Sequence, residues 1–431
     1  MLKQETASAE ENPRVLHESG KDDAAKRSIL RQHTFGRLWT STIASSIASG
    51  ASVVIINWIV FAATGSAFDI ALVGVATLVP RIVFGITSGA IADRYGRLRV
   101  MIASNALRAA IMLILAAYLF FFGFQFYLVL ASVFVIGLGQ SLFLPAISAF
   151  LPTAVSAEEL GSANGLLQTA QQVTSIAGSP LGGVLIGVIG VAATVVFNSA
   201  TYMLAGLLIA AISLPLSLAG TKAKPRSKDS SFFSEVREGF AYLSGERGLL
   251  ELTLFSFVAT PFLYMFITFL VVYDSDVLRQ GAGVYGALLA IIGVGVVVGS
   301  LLVGRFHPDR RFGLWFPLSW GFAGISILGL VLFPAVIPAM AFLFVVGLLA
   351  GFASTTFFTG TQKFIPNDLQ GRYYGLDDAG TYAATPAGQI IGGIVIGAAG
   401  VGADFTIAAV GIALSCFIFL LFPDLRRLRA H

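Results

Sequence analysis

Charge is scarce in this chain. Only 12% of its 431 residues are Asp, Glu, Lys or Arg, while 56% are hydrophobic; a soluble domain carries about a quarter charged. With a mean hydropathy of +0.84, this excludes an ordinary soluble globular protein. A single cysteine, Cys416, excludes an intrachain disulfide. The four histidines, His17, His33, His307 and His431, all fall in segments expected to be aqueous, so no buried histidine-based metal or catalytic centre is expected. No G-x4-G-K-[ST] phosphate loop occurs, which argues against built-in ATP drive. The absence of G-x-S-x-G, H-E-x-x-H or a buried His–Ser pair argues against an intramembrane enzyme. No cofactor and no nucleic-acid partner is expected.

Apolar runs and glycine are abundant. Stretches of about 20 apolar residues recur, each long enough to cross a ~30 Å hydrocarbon core as a helix, and the 47 glycines suit close helix contacts in a bilayer. Twelve spans are expected, at 38–64, 69–92, 99–122, 124–150, 162–187, 190–219, 248–273, 281–304, 313–333, 337–363, 371–398 and 403–423. The first run is too long and too distant from the start to be a signal-peptide core. With the N-terminus inside, 24 of the 27 Lys and Arg fall in cytoplasmic segments, and of the others only Arg279 lies in an outer loop. By the positive-inside rule both termini are expected in the cytoplasm of a multi-pass cell-membrane protein.

Residues 1–37 read as a mostly disordered cytoplasmic tail, with seven basic and six acidic residues. The hydrophilic connection 220–247 divides the spans six and six, giving an N-terminal bundle (38–219), a C-terminal bundle (248–424) and a basic tail (425–431). Phe232, Phe233, Val236, Phe240 and Leu243 recur in the connection at helical spacing. They fit a helix lying on the inner membrane surface or one packed on the cytoplasmic face of the bundle. Residues 161–190 align without a gap to 371–400 with ten of thirty positions identical, seven of them glycine. Spans 5 and 11 thus hold matching places in two parallel halves, an architecture of many secondary transporters.

The segment "GAIADRYGRLR" at 89–99 places one Asp and three Arg between two apolar runs. It resembles the loop 2–3 signature of the major facilitator superfamily, with Gly89, Asp93, Arg94, Gly96 and Arg97 in matching places. The resemblance implies an all-α membrane protein of twelve helices in two pseudo-symmetric halves, with this loop latching the halves on the cytoplasmic side. Two further stretches, "RVMIASNALRAA" (99–110) and "EVREGFAYLSGERGL" (235–249), resemble the drug and siderophore exporter branch. Span 5 carries a degraded antiporter motif: Gly165, Gly178, Gly182 and Gly183 match, Thr174 replaces a glycine and the proline is displaced to Pro180. The span 4 arginine of proton-coupled drug exporters is missing, which leaves the coupling open.

Charges inside a membrane cost roughly 2.5–3.5 kcal/mol on insertion scales and invite a functional reading. Arg81 is expected near the midplane, as a substrate contact or a structural pair; Arg108 reads as structural. In span 11, Asp378, Thr381, Tyr382, Thr385 and Gln389 share one helix face and match Gln168, Gln171, Gln172, Ser175 and Ser179 of span 5 through the repeat. Two such stripes would line a hydrated cavity or form a hydrogen-bonded seam. Asn57, Gln140, Tyr264, Thr355 and Thr359 are further path candidates. Asp377 and Asp378 are the carboxyls expected inside spans; about 100° apart on a helix, Asp378 is expected to carry a coupling proton and Asp377 to join the latch.

The expected function is secondary export of a small amphipathic organic compound, drug-like or siderophore-like, by alternating access in a monomer driven by an ion gradient, expected to be H+. The alternative is a transporter moving lysolipid or other lipid between leaflets.

Overall fold

The computed structural model describes residues 30, 32–156, 159–212, 243 and 245–428. Most of the expected tail and of the 220–247 connection, its amphipathic helix included, lies outside the described residues, as do 213–219 of the expected sixth span. The helices are α1 (His33–Thr64), α2 (Ala67–Tyr95), α3 (Arg97–Phe122), α4 (Phe126–Ala154), α5 (Leu160–Ile189), α6 (Val191–Ala210), α7 (Arg247–Thr268), α8 (Ala282–Phe306), α9 (Phe312–Leu332) and α10 (Val336–Phe364). A continuous Asn367–Leu420 helix breaks at Gly400 (φ 82°) into α11 (367–399) and α12 (Val401–Leu420), and a short α13 (Pro423–Arg427) follows. Among the described residues eleven helices are long and apolar enough to cross a membrane. The twelfth, α5, has 30 residues, but only Ala177–Ile189 is strongly apolar. Its first half carries the glutamines of the polar stripe.

Local signals set the helix ends. Gly65 closes α1 in the left-handed region (φ 62°), its N–H bonded to Phe61 O at 2.8 Å. Ser66 caps α2 by accepting from Asp69 N at 3.2 Å, with Asp69 in the positive first turn. α1 starts at His33, five residues before the expected span. α7 continues through Leu270–Val272 into a π-helical turn, Tyr273–Leu278, which stops at Arg279 with φ 54°.

The internal repeat is physical. Gly190 and Gly400, aligned in sequence, both sit at positive φ (81° and 82°) and turn the chain into α6 and α12. Gly178 lies against Ile47 of α1, and its counterpart Gly388 against Pro261 of α7. The first six helices pack as α1 on α5 and α6, α2 on α4, and α3 on α4 and α6; the last six repeat that pattern. The two sets meet through α5 on α8 and α2 on α11.

An even number of spans puts both ends of the bundle on one face, termed here the tail face; the opposite face is the far face. At the far face one apolar core runs through both sets of helices, joining Ile55, Ile70 and Met112 to Phe266, Tyr285 and Leu330. Toward the tail face it splits. One cluster, around Phe35, Met101 and Phe150, belongs to the first six helices; another, around Leu249, Phe312 and Tyr373, belongs to the last six.

Candidate functional site

The divided core makes a molecule shut at one face and open at the other. On the far side, Gly183 of α5 and Gly286 of α8 touch backbone to backbone, and a Cβ on Gly187 would lie 2.9 Å from Gly283 Cα. Gly74 of α2 is filled by the Gln389 side chain of α11, and a Cβ on Gly393 would lie 3.1 Å from Phe68 Cα. Trp58 of α1 stacks on Tyr285 of α8 (centroids 6.2 Å apart), and Asn57, buried beside Trp58 on α1, lies near the Tyr285 side chain. Without side chains, glycines let these helices approach closely enough to exclude solvent. At the tail-face ends of the same helices, Gly89, Gly161, Gly165, Gly304 and Gly375 have open space where a Cβ would be.

Deepest in the opening stands Arg81, half-buried on α2. Its Nη2 donates to the Tyr382 hydroxyl at 2.6 Å, and its guanidinium lies 4.1 Å from the Tyr382 ring centre. This cross-half pair combines a hydrogen bond with a cation–π contact. Arg108, fully buried, is held by Asn105 Oδ1 at 2.7 Å between the rings of Phe143 and Tyr202, a structural role.

Below the seal, the last six helices enclose a half-open cavity of about 190 Å³. Phe255, Phe316, Trp320, Phe357 and Phe358 form its walls, and Asp377 is the charged residue among its described lining. The rings interlock edge to face: Phe255 and Phe316 lie 5.6 Å apart, Phe357 and Phe358 5.4 Å. Ser256, Thr260, Ser354 and Thr381 add hydroxyls. A carboxylate among aromatic faces attracts a cation, because the negative face of each ring adds to the charge.

The structure separates the polar stripe of α11 into levels. Thr381 lines the cavity, Tyr382 holds Arg81, Thr385 is buried and donates to Thr381 O at 2.8 Å, and Gln389 joins the far seal. The backbone of Asp378 lies within α11, but its side chain is outside the described residues, as are those of Gln172 and Ser175. On the matching stripe Gln168 is exposed, and the Ser179 hydroxyl donates to Gly50 O at 3.2 Å. Asn57 belongs to the far seal. Gln140, Tyr264, Thr355 and Thr359 are half-buried on α4, α7 and α10. In the antiporter-like segment Gly178, Gly182 and Gly183 make tight contacts, Gly165 borders the opening, and Pro180 lies half-buried within α5.

Among the described residues, the latch residues Asp93, Arg94 and Arg97 make their contacts within the first six helices. Gly96 (φ 91°) turns the chain between α2 and α3; Asp93 pairs with Arg97 at 3.3 Å, Arg97 also donates to Ala149 O, and Arg94 lies over Tyr95. Asp377 faces the cavity of the last six helices. On the same face Gln32 Nε2 donates to both Glu159 oxygens at 3.1 Å, which holds that half-buried carboxyl below the usual carboxylate range.

One expectation needs correction. Asp377 and Asp378 are not the only carboxyls inside spans, for Asp274 and Asp404 are fully buried at the far face. The expected spans began at 403 and ended at 273, which made these two residues look like loop edges; the π-turn carries the seventh span on to Leu278. The aromatic wall was also unmarked, since 36 phenylalanines are spread through the chain.

Comparison with known proteins agrees with this architecture. The chain is 25% identical over 400 residues to Macrolide efflux protein A of Streptococcus pyogenes, covering 91% of this chain and 97% of that one. It is 26% identical over 396 residues to Multidrug efflux pump Tap of Mycobacterium tuberculosis, covering 90% and 93%. A bacterial homologue of the human lysosomal transporter Spinster, solved inward-facing and unoccupied, has the same fold (TM-score 0.71, 13% identity, 94% and 98% covered). The family model of the Major Facilitator Superfamily matches residues 38–378. With its two six-helix sets, its cross-half contacts and that match, this chain belongs to the Major Facilitator Superfamily and is a multi-pass membrane transporter of small molecules.

Proposed function

We propose that this transporter exports a small amphipathic organic compound bearing a positive charge, by alternating access, across the cell membrane and in exchange for protons. The observation that carries the reading is the cavity, with its aromatic walls and the carboxylate of Asp377 among its described lining. Such a lining suits a drug-like amine better than an acidic siderophore-like cargo. The efflux names of the two relatives support the outward direction. The basic residues concentrated at the tail face support a cytoplasmic location for that face; in this reading the state described is open inward and ready to load cargo.

In this reading a single chain works without ATP. Asp378, one residue from the cavity carboxylate, is the proton-coupling candidate, since intramembrane carboxylates are the usual proton relays. As the inner side closes, α2 and α11 approach there and the Asp93–Arg97 pair is free to re-form across the halves. Thermal unfolding of the detergent-purified protein tests the cargo class, because a ligand of the folded state raises Tm. Ethidium or tetraphenylphosphonium should raise Tm, and Asp377→Asn should remove most of that rise. A rise with neutral or anionic amphiphiles only would overturn the cationic assignment.

A further inference from the structure

Asp274 sits in the π-turn that ends the seventh span, fully buried, and neither of its carboxyl oxygens has a hydrogen-bond partner among the described residues. Buried carboxyls are ordinarily paired, because an ionised group without a partner is very costly to remove from water. π-turns are also uncommon and cluster at functional positions.

Among the described residues the helices packed around it supply no cation, and the one basic residue of its own turn, Arg279, is exposed. The Leu270–Val272 segment just before Asp274 packs on α1, and Tyr285 of α8, which stacks on Trp58 of α1, lies close enough to Asp274 to interact with it electrostatically. Tyr273 donates to Leu330 O of α9 at 2.8 Å and stacks on Phe405 of α12. The titratable groups on these sides are Tyr285, Tyr273 and Asp404, with Asp276 and Arg279 on the same turn; the outer halves of α1, α8, α9, α11 and α12 contain no Lys, Arg or His. Asp404 lies by Gly392 and Phe269, inside the last six helices. Asp274, by contrast, lies beside Tyr285, whose ring stacks on Trp58 where the two halves meet.

We propose that Asp274 is a proton-binding site that controls the outer seal. With the outer side open, water reaches the carboxyl and it is ionised. Closing α1 onto α8 buries it, so closure takes one proton from the outer solution, and reopening returns that proton to the same side. Asp274 therefore sets the balance between the two states, and the proton that crosses to the cytoplasm is carried elsewhere. Lower pH favours the sealed outer side and higher pH its opening, by linkage between proton binding and conformation. The proposal deepens the proton-coupled reading and rests on it.

The test follows the outer side directly and needs no cargo. In a Cys416→Ser background, nitroxides at Ala63 and Gln280, both exposed at the outer ends of opposite halves, report the distance across the seal by electron–electron resonance between pH 5.5 and 8.5 in nanodiscs. The native chain should shift from a short to a longer distance as pH rises. Asp274→Asn and, as a second variant, Asp274→Leu should keep the short distance throughout, with the pH response lost. Asp404→Asn should retain the response. A native-like pH response in the folded Asp274 variants overturns the assignment of this residue alone. A native chain with no response overturns the proton-linked seal altogether, while proton-driven transport, assigned to Asp378, is judged separately by uptake driven by ΔpH.

Discussion

If glycine contacts seal the outer side, adding one methyl group at Gly183 should open it. A Cβ at this position would meet the Gly286 backbone, with Gly286 N 2.9 Å away. The neighbour is main chain, so no rotamer change relieves the clash. Overpacking of this kind costs about 1–3 kcal/mol. The methyl clashes only when α5 and α8 touch, so this energy enters the equilibrium between sealed and open states. It corresponds to a shift of about 5- to 150-fold toward the outward-open form. The Ala63–Gln280 distance should lengthen in Gly183→Ala at a pH where the native protein is mostly sealed, and reduced inward access should slow loading. Gly402→Ala on α12, outside the contacts between the halves and where a Cβ meets nothing within 4 Å, is the control and should change neither quantity. A folded Gly183→Ala protein with the native distance distribution would refute the claim that this contact forms the seal.

Tyr382→Phe removes the hydrogen bond from Arg81 but keeps the ring beneath the guanidinium, so it should slow ethidium efflux only several-fold, whereas Arg81→Gln should nearly abolish it; equal losses would contradict the two-part contact. Asp378→Asn should abolish accumulation driven by ΔpH in vesicles while leaving ethidium binding intact, and Asp377→Asn should weaken binding itself; accumulation by Asp378→Asn that still answers ΔpH would place the carrier elsewhere. Asp93→Asn should lower cross-linking between cysteines at the inner ends of α2 and α11 without lowering Tm, and unchanged cross-linking with unchanged transport would reduce the loop to an orientation signal. In intact cells an impermeant thiol reagent should label Gln280→Cys and spare Arg97→Cys, both in the Cys416→Ser background; the reverse pattern would invert the topology.

Much of the architecture was legible because membrane helices advertise themselves. Eleven of the twelve long helices satisfy length and apolarity on their own, and the shared glycine register led to the paired turns at Gly190 and Gly400. Features that depend on which side of a helix faces which neighbour were hidden. Phe358 at the cavity and Phe120 toward the surrounding lipid are both exposed phenylalanines on long apolar helices, and nothing in local composition separates them. Helix periodicity put Gln389 and Thr381 on one face correctly, but which of them meets Gly74 in the seal and which the cavity depends on the helices packed beside α11. Asp274 escaped notice because hydropathy ends a span at the first charge, while the backbone continues in a π-turn to Leu278.

The most direct test of exchange between cargo and protons uses purified protein in proteoliposomes, with ethidium outside and an imposed ΔpH. In the fraction of molecules whose cytoplasmic face points outward, an acidic lumen should drive ethidium uptake against its gradient. Lumenal pH should rise in step with that uptake, and both signals should vanish in Asp378→Asn. Ethidium that only equilibrates, with no change in lumenal pH, would contradict proton-driven export, and movement of labelled lysolipid between leaflets in the same vesicles would point to lipid as the cargo.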